Sequence, residues 1–130
     1  MPLDAARLGF SPDTVIQELG WDEDVDTELR SAIEGIVGHA LVDGESDEVV
    51  DGVILWWRDD DGDLVDALFD ALADLAEGGS IWVLTPKVGR PGYVTGADIA
   101  EAAPVAGLST TTTSSASAEW SATKLSTHKR

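Results

Sequence analysis

The amino-acid sequence predicts a single small three-layer α/β domain, with a mostly parallel sheet, helices on both faces and an antiparallel hairpin at the C-terminal end. Three observations predict it. The continuous apolar runs from Val53 to Trp57 (VILWW) and from Ser80 to Thr85 (SIWVLT) have the character of strands buried on both faces. Between and before them lie segments with apolar residues at helical spacing, opened by acids and closed by glycine. The length of 130 residues, 43% apolar, suffices for one core and not for two.

Taken in order, Thr14 to Leu19 (TVIQEL) is β-branched at its start, stops at Gly20, and reads as the first strand. Asp22 to Asp26 place carboxylates before an amphipathic helix from Thr27 to Val37, where Leu29, Ile33 and Ile36/Val37 recur on one side and Gly38 ends the pattern. Ala40 to Asp43 reads as a short second strand. After VILWW comes an acidic turn, Asp59 to Asp63. A helix from Leu64 to Ala76 follows, with Asp63 as N-cap and Gly78-Gly79 as its exit. Lys87 to Tyr93 is a Gly/Pro loop, and Ala97 to Ala103 a short helix before Pro104. Leu108 to Ala118 and Ala122 to Thr127 form the hairpin, with Trp120 packing beneath the sheet. Residues 1–126 make the domain, and 127–130 a frayed basic tail.

Composition excludes several function classes. Without cysteine there is no disulfide framework, thiol nucleophile or thiolate metal site. Met1 to Phe10 lack the pattern of a signal peptide, and no apolar run approaches the roughly 20 residues of a membrane span, so a cytoplasmic protein is expected. The net charge is −17 and unevenly shared: residues 1–80 carry 22 acidic and 3 basic side chains, residues 81–130 only 3 acidic and 5 basic. Such a first half repels nucleic-acid phosphates and anionic lipid, and steers a basic protein partner.

In a parallel sheet with right-handed crossovers, every strand-to-helix loop falls on the carboxyl edge, where ligands sit. Three loops are expected to meet there: Gly20–Asp26, Trp57–Asp63 and Pro86–Tyr93. Lys87 and Arg90 suit a small anion, with Gly89 and Gly92 allowing close approach. Trp21, Trp57 and Tyr93 offer rings beside them. The opposing expectation is that the two cations pair internally with acids of the neighbouring loops. The run Asp59-Asp60-Asp61-Gly62-Asp63 lacks the oxygen ligands that an EF-hand loop needs at Trp57 and Leu68, and is read as a turn with a helix cap. His39 and His128, the two histidines, belong to no triad or metal-ligand pattern. No metal site is expected.

In this order, ELGWDEDVD, VILWWRDDDGDLVDAL, GGSIWVLTPKVGRPGYV, AGLS and a late Trp-Ser pair resemble an actinobacterial family of unknown function. The resemblance runs from about Leu8 to Leu125, and the architecture is similar to a shortened, Rossmann-like class I methyltransferase core. It implies that Glu18 and Gly20 begin the acidic, glycine-bearing turn that holds S-adenosylmethionine, and that Asp43 is the acid on a ribose hydroxyl. Trp21, Asp22 and Glu23 stand where further glycine is expected. Gly-x-Gly-x-x-Gly and P-loop motifs are absent. The expectation is therefore a non-catalytic acidic interaction or regulatory module on a degenerate methyltransferase-like fold, with no cofactor. An S-adenosylmethionine-dependent enzyme and an acidic mimic of nucleic acid are the alternatives.

Overall fold

The computed structural model describes residues 8–43 and 48–127. Its elements are β1 (Ile16–Leu19), α1 (Thr27–Val37), β2 (Val50–Trp56), α2 (Leu64–Leu72), β3 (Leu75–Pro86), α3 (Gly96–Val105), β4 (Leu108–Ser115) and β5 (Trp120–Thr127). The sheet order is β1-β2-β3-β5-β4, with the first three strands parallel and β5 antiparallel to both its neighbours. This is the expected mostly parallel sheet ending in an antiparallel hairpin.

Alternation along the strands builds two cores. Val53, Leu55, Ile81, Val83 and Leu125 face α2 and α3, where they meet Leu68, Ala71, Ile99 and Ala103. Ile54, Trp56, Trp82, Leu84 and Trp120 face α1, where they meet Leu29, Ile33 and Val37. Trp120 lies edge-on to Trp56 with ring centroids 4.8 Å apart. Phe10 stacks on Trp82 at 4.1 Å, and the Trp82 indole donates to the Leu8 carbonyl at 2.7 Å.

Local chemistry sets the helix ends. Asp26 caps α1 by accepting from the Leu29 amide at 3.0 Å, and Gly38 closes it at φ 83°. Asp63 caps α2 through the Val65 amide at 2.9 Å.

Four expected boundaries shift. The helix after Asp63 ends at Leu72, and Gly78-Gly79 lie inside β3 rather than beyond a helix. The register explains this: Val50 pairs with Leu75 but Gly52 with Ser80, so the start of β3 bulges. A Cβ on Gly79 would stand 2.6 Å from Leu75 Cδ1 and 2.8 Å from the Asp51 carbonyl, which is why glycine sits in the bulge. Pro104 occupies the last turn of α3, where it removes one i→i−4 hydrogen bond, and the helix ends one residue later at Val105. Ala40 to Asp43 contributes a single parallel bridge, Val42 to Gln17, rather than a strand. Thr127 still pairs with Leu108 in the sheet, while His128 and the rest of the expected tail lie outside the described residues.

Gly52 is where β2 and β3 come closest to overpacking. A Cβ there would stand 2.7 Å from the Trp82 ring and 3.0 Å from Ile16 Cδ1. Gly52→Ala is expected to destabilise the fold by about 1–3 kcal/mol, read as a lower urea midpoint at unchanged slope.

Candidate functional site

The three loops named from the sequence do meet at the carboxyl edge, and Arg58, which the sequence reading passed over, holds them together. Arg58 lies two residues beyond the end of β2 and is buried. Its Nε donates to Asp24 Oδ2 at 3.0 Å and its Nη2 to Asp24 Oδ1, a two-pronged pair with the β1–α1 loop. Nη1 donates to the Gly20 carbonyl at 2.7 Å, to the Trp56 carbonyl at 3.2 Å and to Asp61 Oδ2 at 3.3 Å. Asp61 Oδ2 also accepts the Arg58 amide at 3.0 Å, closing the acidic turn on itself. The third loop joins through the Asp59 amide, which donates to the Gly92 carbonyl at 2.9 Å. A Cβ on Gly92 would press on Arg58 Cβ at 3.1 Å.

The guanidinium lies 5.6 Å from the Trp120 ring centroid, so an aromatic face covers what the carboxylates leave. Burial works to lower the Arg58 pKa, but Asp24 and then Asp61 outweigh it and the value is raised. In return, the hydrogen bond from Arg58 holds the Asp24 carboxyl below the ordinary aspartate range.

Each expected site residue has a definite place. Glu18 points to the α1 face, where it accepts from Arg30 Nε at 2.5 Å, Arg30 Nη2 at 2.7 Å and the Trp56 indole at 2.8 Å. Its hydrogen bond raises the Arg30 pKa. Gly20 has φ 77°, and a Cβ there would stand 2.3 Å from the Trp56 carbonyl oxygen, so its backbone is packed against β2. Asp43 is exposed beyond β1, its carbonyl accepting from Gln17 Nε2 at 3.3 Å. Lys87 and Arg90 make their direct bonds to the β4–β5 hairpin, while the charge of Arg90 also acts on Asp24. Lys87 Nζ donates to Ser115 Oγ at 2.6 Å, and Arg90 pairs with Glu119 at 3.4 Å and lies 5.9 Å from the Trp120 centroid. The expected ion pairs of these cations with acids of the neighbouring loops are not formed; Arg58 makes them instead with Asp24 and Asp61, and Arg90 reaches Asp24 only through its field. Trp57 is buried against the α2/α3 core, whereas Trp21 is 56% exposed and Tyr93 stands at the rim. The acids of Asp59 to Asp63 serve the turn and the α2 cap as expected. Among the described residues no group of three or more His, Asp or Glu has metal-binding geometry.

Beside Arg58 a cleft of about 420 Å³ opens toward α2, walled by Trp21, Asp22, Trp57, Asp61 and Asp70. Its chemistry is aromatic and acidic, with its one cation already bound to carboxylates.

The family model "Protein of unknown function (DUF3052)" matches residues 5–129. The chain belongs to that family. Uncharacterized proteins of Mycobacterium tuberculosis and Mycobacterium bovis are each 56% identical to it over 121 residues, covering 93% of this chain and 76% of theirs. The DUF3052 chain is similar in fold to a SAM-dependent methyltransferase from Aquifex aeolicus, with TM-score 0.65 and 10% identity over 97% of this chain and 90% of that one. It is likewise similar to the O-methyltransferase of neocarzinostatin biosynthesis solved with S-adenosylmethionine, with TM-score 0.64 and 15% identity over 95% of this chain and 52% of that one. At such identities the likeness is one of fold: this DUF3052 domain has a methyltransferase-like, Rossmann-like core.

Removing the Arg58 guanidinium leaves two carbonyls and Asp24 without their partner. Arg58→Ala is expected to destabilise the domain by about 2–3 kcal/mol, and Arg58→Lys to recover only part of that, since an ammonium cannot fork across Asp24. Chemical denaturation measures both. Because the Asp24 pKa is lower folded than unfolded, its contribution is complete above the ordinary value of 3.8 and is lost as pH falls through the lowered folded value. Asp24→Asn should therefore flatten the rise of the urea midpoint between about pH 2 and 5.

Proposed function

We propose that this DUF3052 domain is a non-catalytic binding module whose acidic, tryptophan-bearing carboxyl edge takes a basic segment of a protein partner. The observation that carries the reading is the cleft beside Arg58. Trp21 stands exposed at its mouth, Asp22, Asp61 and Asp70 form its wall, and Arg58 is occupied by Asp24 and Asp61. A ring face next to carboxylates is what a lysine or arginine side chain needs: apolar contact for its methylene stem, and cation–π contact with charged acceptors for its head. A net charge of −17 then raises the encounter rate with a basic partner at low ionic strength.

The cofactor that the fold implies fits these residues poorly. Glu18 is spent on Arg30 and Trp56, and the Gly20 backbone lies against the Trp56 carbonyl. Trp21, Asp22 and Glu23 stand in place of the glycines that would let a cofactor approach. An S-adenosylmethionine-dependent enzyme remains the second reading, supported by the fold alone. A mimic of nucleic acid draws little support. Exposed acids occur on α1 (Glu28), α2 (Asp66) and α3 (Asp98, Glu101), helices on opposite faces of the sheet, instead of forming one row.

Titration with deca-lysine and deca-arginine, followed by tryptophan fluorescence, tests the proposal. Saturable binding that weakens with salt and falls about tenfold in Trp21→Ala is expected, while the stability of that variant stays within about 0.5 kcal/mol of the parent. Binding that Trp21→Ala leaves unchanged contradicts it.

A further inference from the structure

A second cleft of about 450 Å³, sharing no wall residue with the first, lies on the α2/α3 face between the N-terminal end of α3 and strands β3, β5 and β4. The sheet register dictates its floor. Thr85 pairs with Ser121 and Ser121 with Ser115; two residues along, Val83 pairs with Thr123 and Thr123 with Thr113. Partners across an antiparallel ladder share a face, and here it is the face carrying Val83 and Leu125, packed toward α3. Hydroxyls thus replace the aliphatic side chains that floor the rest of this layer.

Two of these threonines are almost covered by protein. Thr85 is 3% exposed and Thr123 5%. Thr123 has only a 3.5 Å contact from the Thr113 hydroxyl, and the Thr85 hydroxyl has no hydrogen-bond partner among the described residues while its side chain lines the cleft. The buried side-chain atoms without a partner among the described residues are Ser117 Oγ and Thr127 Oγ1, so Thr85 Oγ1 is reached from the cleft, where a ligand can take the place of water. The remaining walls are apolar, with Pro86, Val94 and Ile99, and Tyr93 stands at the rim. Lys87 completes the mouth: its ammonium bonds the neutral Ser115 hydroxyl, and among the described residues it has no carboxylate within salt-bridge reach.

We propose that this cleft binds a small hydroxylated carboxylate with an apolar ring. The ring lies against Val94, Ile99 and Tyr93, the ligand hydroxyl meets Thr85 and its neighbours, and the carboxylate faces Lys87. The α3 N-terminus beside the mouth adds a favourable field for the anion. The inference is independent of the basic-partner reading.

Amide-resolved NMR titration with 4-hydroxybenzoate tests it, with 4-hydroxybenzamide as the uncharged control. Saturable shifts centred on Thr85, Gly96 and Thr123 are expected, with the amide and Lys87→Gln each giving about tenfold weaker binding. Thr85→Val should abolish binding while leaving the urea midpoint equal or higher, since no hydrogen bond among the described residues is lost. No shifts at millimolar ligand, shifts centred on Trp21, or a Thr85→Val variant that binds normally or loses stability would overturn the proposal.

Discussion

The carboxyl edge of this domain depends on one buried guanidinium. Arg58 reaches from the end of β2 to the β1–α1 loop through Asp24 and the Gly20 carbonyl, and to its own turn through Asp61. Every Arg58 nitrogen that can donate has an acceptor, and the Trp120 ring covers the guanidinium, so the desolvation of the charge is offset locally. The consequence is conformational: three loops that would be free to open around a ligand are tied to one another. Glu18 with Arg30 and Trp56 does the same one layer behind, joining β1 to α1 and β2. Two arginines thus convert an acidic segment into a set of fixed turns.

That arrangement changes what the fold can do. The methyltransferase resemblance implies a cofactor turn in which an acid is followed by glycines. In this DUF3052 chain the first loop carries Trp21, Asp22 and Glu23, and its acid at Glu18 faces inward. Two of the ligand-sized spaces among the described residues differ in chemistry. One is acidic and aromatic, next to α2; the other is floored by hydroxyls, under α3. They suit opposite charges, and the sheet separates neither from solvent.

Much of this was legible in the sequence. The buried strands announced themselves as continuous apolar runs, α1 was bounded by Asp26 and Gly38 as read, and the meeting of three loops followed from parallel connectivity alone. The misreadings came from competing physics. Gly78-Gly79 looks like a helix exit, but the same two glycines fit a bulge where Leu75 and the Asp51 carbonyl leave no room for a Cβ. Lys87 and Arg90 drew attention as a basic loop, yet the hairpin captured both, a contact set by tertiary register that no local pattern encodes. Arg58 was overlooked because it is a lone cation inside an acidic run. Its signal was there, however: a single arginine directly after VILWW leaves the sheet beside the β1–α1 loop, whose only charged residues, Asp22, Glu23, Asp24 and Asp26, are acids.

We propose that the Arg58 knot makes the carboxyl edge a fixed surface that takes no S-adenosylmethionine. Calorimetric titration of the protein with S-adenosylmethionine and S-adenosylhomocysteine tests it most directly. The account predicts no heat of binding for either at millimolar ligand. Saturable micromolar binding of either would contradict it and restore the enzyme reading.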